Sequence, residues 1–227
     1  MATPESDRVA QALGESGFAS VRPGETPTAE ALWAAVGRTR GVVEALLPGI
    51  GFLVVYTLTQ NLLWAVSAPL LVAVAFIVVR LLQKSPVMPA LAGLVGIGAS
   101  AGVALWSGRA EDNFLLGFFV NGLWVLGLLI SLALRRPLVG VVAGMLVGDE
   151  SWRSDLATRR VATSATWLWV VVFSARLGVQ LPLYFAGQVS ALALAKLVMG
   201  VPLYAAALWF TWLLMRAVYR GRENKAR

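Results

Sequence analysis

Between residues 42 and 215 the chain consists of long apolar runs joined by short connections, and this pattern admits few folds. The runs cover residues 42–59, 62–82, 86–106, 114–134, 161–180 and 189–215. Each is close to the roughly 20 residues a helix needs to cross the hydrocarbon of a bilayer. Lipid offers no hydrogen bonds, so a spanning segment must satisfy its own backbone, which a helix does. The fold class expected is therefore all-α: a polytopic membrane protein, a bundle of about six transmembrane helices. Residues 138–148 add an apolar stretch too short to cross, expected as a short interfacial or re-entrant helix.

Composition agrees with a lipid solvent. Hydrophobic residues make up 58% of the chain and charged residues 14%, against about a quarter charged in soluble domains. The 9 Trp fit the headgroup boundary, where indole rings are favoured. A net charge of +7 raises the question of a nucleic-acid partner. The cations, however, gather at span ends on alternate loops, which is a topology signal and argues against nucleic acid.

The side expected to be cytoplasmic carries Arg38, Arg40, Arg80, Lys84, Arg135, Arg136, Arg153, Arg159, Arg160, Arg216, Arg220, Arg222, Lys225 and Arg227. The opposite loops carry Arg109 alone. This places both termini in the cytoplasm. Residues 1–36 read as a polar cytoplasmic tail, largely disordered, with a short interfacial helix after Thr26-Pro27. Residues 37–219 read as the transmembrane domain. Residues 220–227 read as a basic tail suited to anionic lipid.

Several chemistries are excluded at once. The chain has no Cys and no His, which removes disulfides, thiolate and imidazole metal sites, and Ser-His or Cys-His catalysis. A Gly-Lys-Ser/Thr phosphate loop is missing too. No catalytic, cofactor or metal site is expected, nor an enzyme. Asp149, Glu150 and Asp155 cluster in one loop, but Arg153 among them favours a solvated charged surface.

Ionisable groups inside spans are costly and so point to function. Glu44 lies at the start of the first span, as an end-of-helix acid or an inner gate. Arg176 follows Arg160 by about 24 Å of helix, in the outer half of the fifth span. Lys196 and Asn121 fall at related depths on two other helices, with Gln180 near the entrance. Arg109, Glu111 and Asp112 lie in the loop above. Two readings stay open: Arg176 staples helices by pairing with Glu111 or Asp112, or Arg176 and Lys196 line a polar, cationic pathway for an anionic solute.

The 189–215 run is too long for one straight crossing and is expected to tilt, protrude or bend at Pro202. Residues 181–185 read as a turn rich in proline and aromatics. Small residues recur along the third span, including Gly96, Gly98, Ser100 and Gly102. They permit close packing within one chain or a homo-oligomer.

The runs Gly41-Val42-Val43-Glu44-Ala45-Leu46-Leu47-Pro48 and Ser107-Gly108-Arg109-Ala110-Glu111-Asp112-Asn113-Phe114-Leu115-Leu116-Gly117 resemble the actinobacterial membrane family DUF3159. So do Arg136-Pro137-Leu138-Val139-Gly140, Arg176-Leu177-Gly178-Val179-Gln180-Leu181-Pro182-Leu183-Tyr184 and Gly200-Val201-Pro202-Leu203-Tyr204. The resemblance spans about residues 38–219; a looser similarity to the intracellular septation protein A family rests on helix layout. It implies a bacterial inner-membrane setting, and it implies that Glu44, Arg109, Glu111, Asp112, Arg176 and Gln180 belong to the motif set. It implies no activity. The leading functional expectation is a small-solute or ion transporter or channel-like permease. Alternatives are a non-catalytic scaffold of an envelope complex and a substrate-binding subunit of a multicomponent transporter.

Overall fold

The computed structural model describes residues 38–147 and 150–226, and every element among them is helical. The tail over residues 1–36 and Asp149 lie outside the described residues, as do the side chains of Glu44 and of residues 219–227.

Helix α1 (Arg38–Thr59) ends in a tight turn in which Gln60 takes a φ of 48°. Asn61 then caps α2 (Leu62–Leu82): its side-chain oxygen accepts from the N–H groups of Leu63 and Trp64 at 3.0 and 3.3 Å. This satisfies two of the four donors that a helix start leaves unpaired. Helix α3 (Met88–Ser107) stops at Gly108, whose φ of 72° suits a residue without Cβ. A 3-10 turn (Ala110–Phe114) leads into α4 (Leu115–Ala133).

At the end of α4, Arg135 occupies the left-handed position with φ 55°. The N–H groups of Arg135 and Arg136 bond back to the carbonyls of Leu132 and Ser131, both at 2.9 Å. Glycine usually takes that seat; here a cation does, complementing the negative end of the helix. There follow α5 (Leu138–Val147), a 3-10 turn (Glu150–Arg153), α6 (Leu156–Phe185), α7 (Val189–Val198) and α8 (Val201–Ala226).

Five stretches are long and apolar enough to cross a membrane: Leu62–Leu82, Ala90–Ser107, Ala110–Ala133, Leu156–Phe185 and Val189–Val218. Leu46–Thr59, within α1, is a shorter apolar helix. Large apolar side chains point outward along these helices, with Leu71, Val95, Phe119 and Leu123 all about two-thirds exposed or more. Apolar faces of that extent are unsustainable in water and natural in lipid.

The structure corrects two expectations. Residues 181–185 are not a turn: α6 runs through Pro182 to Phe185. The proline ring crowds the carbonyl four residues back, which belongs to Gly178, the residue type freest to yield. The helix stops only at Gly187, φ 65°. The last span, by contrast, is interrupted at Met199–Gly200, two residues before the expected bend. Pro202 has no N–H to continue α7, but it fits the first turn of α8.

The chain divides into two compact units. The first comprises residues 126–171 and 205–226 with the start of α1. Its packing centres on Trp152, 4% exposed, against α5 and α6. A Cβ placed on Gly140 would lie 2.5 Å from the Trp152 ring and 2.8 Å from the Ala162 methyl, so only glycine fits. The Thr166 hydroxyl donates to the Ala162 carbonyl at 2.8 Å and accepts from the Val139 N–H at 3.3 Å, tying α5 to α6. With 10 residues, α5 is about 15 Å long, half a bilayer core. Asp155, expected in a solvated loop, is the cap of α6: its carboxylate accepts from the N–H groups of Ala157 and Thr158 and from the Thr158 hydroxyl.

The second unit comprises residues 43–125 and 172–204. Phe52, Val66, Phe114, Phe118 and Leu192 form its core, with small Ala65, Ala101 and Ala193 letting the helices approach. The ring of Phe114 meets Phe52 edge-on at 5.5 Å. The functional side chains of interest gather around this core.

Candidate functional site

Residues from α1, α2, α3, the first 3-10 turn, α6, α7 and α8 surround a cavity of about 470 Å³, all of them within the second unit. One wall is apolar: Pro48, Gly49 and Phe52 from α1, Val66 and Pro69 from α2, Gly93, Gly96 and Ile97 from α3. Arg176 from α6, Ala193, Lys196 and Leu197 from α7, and Gly200, Val201 and Tyr204 at the break and the start of α8 complete the lining there. Ser100 and Asn113 add smaller polar groups.

The break is what brings the cations together. Gly200 has no room for a side chain, because a Cβ would lie 2.7 Å from the Lys196 carbonyl oxygen and 3.2 Å from that of Leu197. Where α7 ends, the Met199 carbonyl is left without a helical donor, and Arg176 Nη1 donates to it at 2.7 Å. Positive charge at a helix C-terminus is favourable. The guanidinium carbon also lies 4.7 Å from the centre of the Tyr204 ring. Arg176 is 7% exposed, and its Nε has no acceptor.

Lys196 is positioned differently. Its ammonium sits 4.9 Å from the centre of the Phe114 ring and forms no carboxylate ion pair among the described residues. A ring contact contributes about 0.5–2 kcal/mol, whereas a lysine at the centre of a transmembrane helix costs about 2.5–3.5 kcal/mol. The ring thus offsets only part of the cost and occupies none of the three N–H donors.

Arg176 does not pair with Glu111 or Asp112, as the stapling alternative required. Glu111 pairs instead with Arg109 at 2.9 Å, and this hydrogen bond, then the carboxylate's charge, raises the pKa of the Arg109 guanidinium above its usual value. Asp112 accepts from the Tyr184 hydroxyl at 2.7 Å and is buried. That bond joins the 3-10 turn to the last turn of α6. Tyr184→Phe is expected to lower stability by about 1 kcal/mol. Thermal unfolding in detergent micelles reads it, and an unchanged midpoint would show that the two segments are not latched there.

Asn121 and Gln180 are both buried but do not line the cavity. The Phe118 ring meets Tyr184 at 5.5 Å and Trp124 stacks on Phe173 at 5.8 Å, so α4 and this part of α6 run antiparallel. Between those contacts lie Asn121 on one helix and Arg176 and Gln180, one turn apart, on the other. Gln180 Nε2 is buried without an acceptor. Glu44 has a described backbone position in α1 only.

The small residues of α3 do not form the close contact expected within the chain. A Cβ on Gly93, Gly96, Gly98 or Gly102 would meet nothing within 4 Å. Gly96 and Ser100 face the cavity. Sequence reasoning missed Tyr204, Phe114 and Gly200 as site residues. The Gly-Val-Pro sequence before Tyr204 was the available signal, since it marks where a helix must restart.

Apolar helices of spanning length, outward-facing Leu, Val and Phe, and a cationic cavity among helices define a multi-pass integral membrane protein. The chain belongs to the family described as Protein of unknown function (DUF3159), whose model matches residues 36–221. No curated protein and no solved structure matches it.

Proposed function

We propose that this protein is a transporter or channel-like permease for an anionic solute, bound in the cavity of the second unit. The observation that carries this reading is the convergence of Lys196 and Arg176 on one cavity with no carboxylate among its described lining residues. Two cations lining one cavity repel each other, and an anion between them relieves that repulsion and gives the Lys196 ammonium an acceptor. The interrupted last span supports the same reading, because helix breaks of this kind form substrate sites in many carriers.

In this reading both termini lie in the cytoplasm and the protein sits in a bacterial inner membrane, an orientation that the Arg- and Lys-rich span ends support by the positive-inside rule. Arg176 and Lys196 then lie in the outer half of the membrane. No step of this reading is enzymatic. If the chain serves as the binding subunit of a multicomponent transporter, it co-purifies with an ATPase; a scaffold has no use for the cavity.

The test is uptake into proteoliposomes of chloride, phosphate and short-chain carboxylates, with potassium as the cation control. Uptake of at least one anion should exceed that of empty liposomes and fall at least tenfold in Lys196→Met, while Lys196→Arg keeps a measurable part. Potassium flux, or anion flux indifferent to Lys196→Met, would sink the proposal.

A further inference from the structure

Resting on the anion reading, the shape and lining of the cavity narrow the ligand further. Its 470 Å³ is the share of about fifteen waters, far more than a chloride or phosphate needs. The charged side chains among the described lining residues come from α6 and α7. Lys196, Arg176 and Tyr204 gather near the helix break, while α1, α2 and α3 contribute Pro48, Phe52, Val66, Pro69 and Ile97 with two glycines. An inorganic ion at the cations leaves those apolar residues without a partner. A neutral apolar guest leaves the Lys196 ammonium with only the Phe114 ring for a partner among the described residues.

We propose that the ligand is an amphiphilic organic anion, a carboxylate or phosphate head on an unbranched or compact apolar body. The head lies between Lys196 and Arg176, accepting from the ammonium and from the guanidinium N–H groups that reach the cavity. The body lies against α1, α2 and the glycine face of α3, where Gly93 and Gly96 leave width that any side chain would reduce. A free carboxylate and a lipid headgroup share this chemistry.

The experiment is titration calorimetry on the full chain in zwitterionic nanodiscs, with empty nanodiscs subtracted. Probes are butanoate, hexanoate, octanoate, octanol and inorganic phosphate. Affinity should rise about fourfold per added methylene, which is ~0.8 kcal/mol per buried CH2. Lys196→Met should weaken every carboxylate at least tenfold. Gly96→Leu, which pushes a side chain into the cavity, should weaken octanoate about tenfold and butanoate less than twofold. Gly98→Leu, equally unhindered but outside the lining, controls for folding and should change neither.

Lys196-dependent binding of butanoate and phosphate with no gain from chain length overturns the amphiphile while leaving the anion reading intact. Octanol binding as tightly as octanoate, with both indifferent to Lys196→Met, overturns both. Doping the nanodiscs with phosphatidic acid identifies the source. Competition with octanoate assigns the head to a membrane lipid, and its absence assigns it to a soluble anion; either result upholds the ligand class.

Discussion

Gly200→Val is expected to lower the thermal stability of the protein by about 1–3 kcal/mol, the range for forcing atoms into a packed site, and to abolish Lys196-dependent anion uptake. The reason is geometric. A Cβ at this position would come 2.7 Å from one backbone carbonyl and 3.2 Å from the next. Backbone oxygens cannot swing aside as the end of a long side chain can. To admit the new atoms the chain must reshape the link between α7 and α8. That link sets the direction of the Met199 carbonyl, the acceptor for Arg176 at 2.7 Å. Gly96→Ala, which adds a methyl to open space on α3, should stay within about 0.5 kcal/mol of the parent. Melting curves and uptake on the same preparations read both effects. Equal stability of the Gly200 and Gly96 variants would mean that the last span is not interrupted where the structure places it.

The second large effect lies in the other unit. Trp152→Ala should cost about 3–5 kcal/mol, as expected for truncating a buried aromatic, because the indole is 4% exposed. Gly140→Ala alone should be destabilising too, since its Cβ would lie 2.5 Å from that ring. In the double variant the new methyl enters space the indole has left. The loss should therefore fall short of the two single losses added together, as for residues in direct contact. Strict additivity, measured by unfolding in detergent, would show that Gly140 and Trp152 do not meet. Neither residue lies in the second unit, so Lys196-dependent binding should persist in any Gly140→Ala protein that stays folded.

Much of the architecture could be read from the sequence because lipid imposes a simple rule on composition and length. The tight turn at Gln60-Asn61, the stop at Gly108 and the proline-led start of α8 all announce themselves in residue type. The ends of α6 and α7 did not. Pro182 looks like a breaker in any sequence; whether it breaks depends on how far the backbone four residues earlier can give way. The break at Gly200 depends on a carbonyl left bare at Met199 and a guanidinium arriving from another helix.

The site was half visible for the same reason. Arg176 and Lys196 stand out as charges in apolar runs, and the structure does bring them to one cavity. Their partners were hidden because they are a backbone oxygen and two aromatic rings, which carry no charge to pair by sign. Glu111 and Asp112 were the natural carboxylates to nominate, yet Arg109 and Tyr184 claim them. The motif Arg136-Pro137-Leu138-Val139-Gly140 gains a physical meaning only from Trp152, a contact that no periodicity encodes.

The glycines of α3 carry a last consequence. Because Gly93 and Gly96 border the cavity and touch no other side chain, its width is set by atoms that are missing rather than by atoms packed in place. Replacing either residue adds bulk without displacing a neighbour, so the dimensions of the chamber are uncoupled from the strength of the fold. Substitutions at Gly93 or Gly96 can narrow the chamber stepwise, while Lys196 and Arg176 stay where they are.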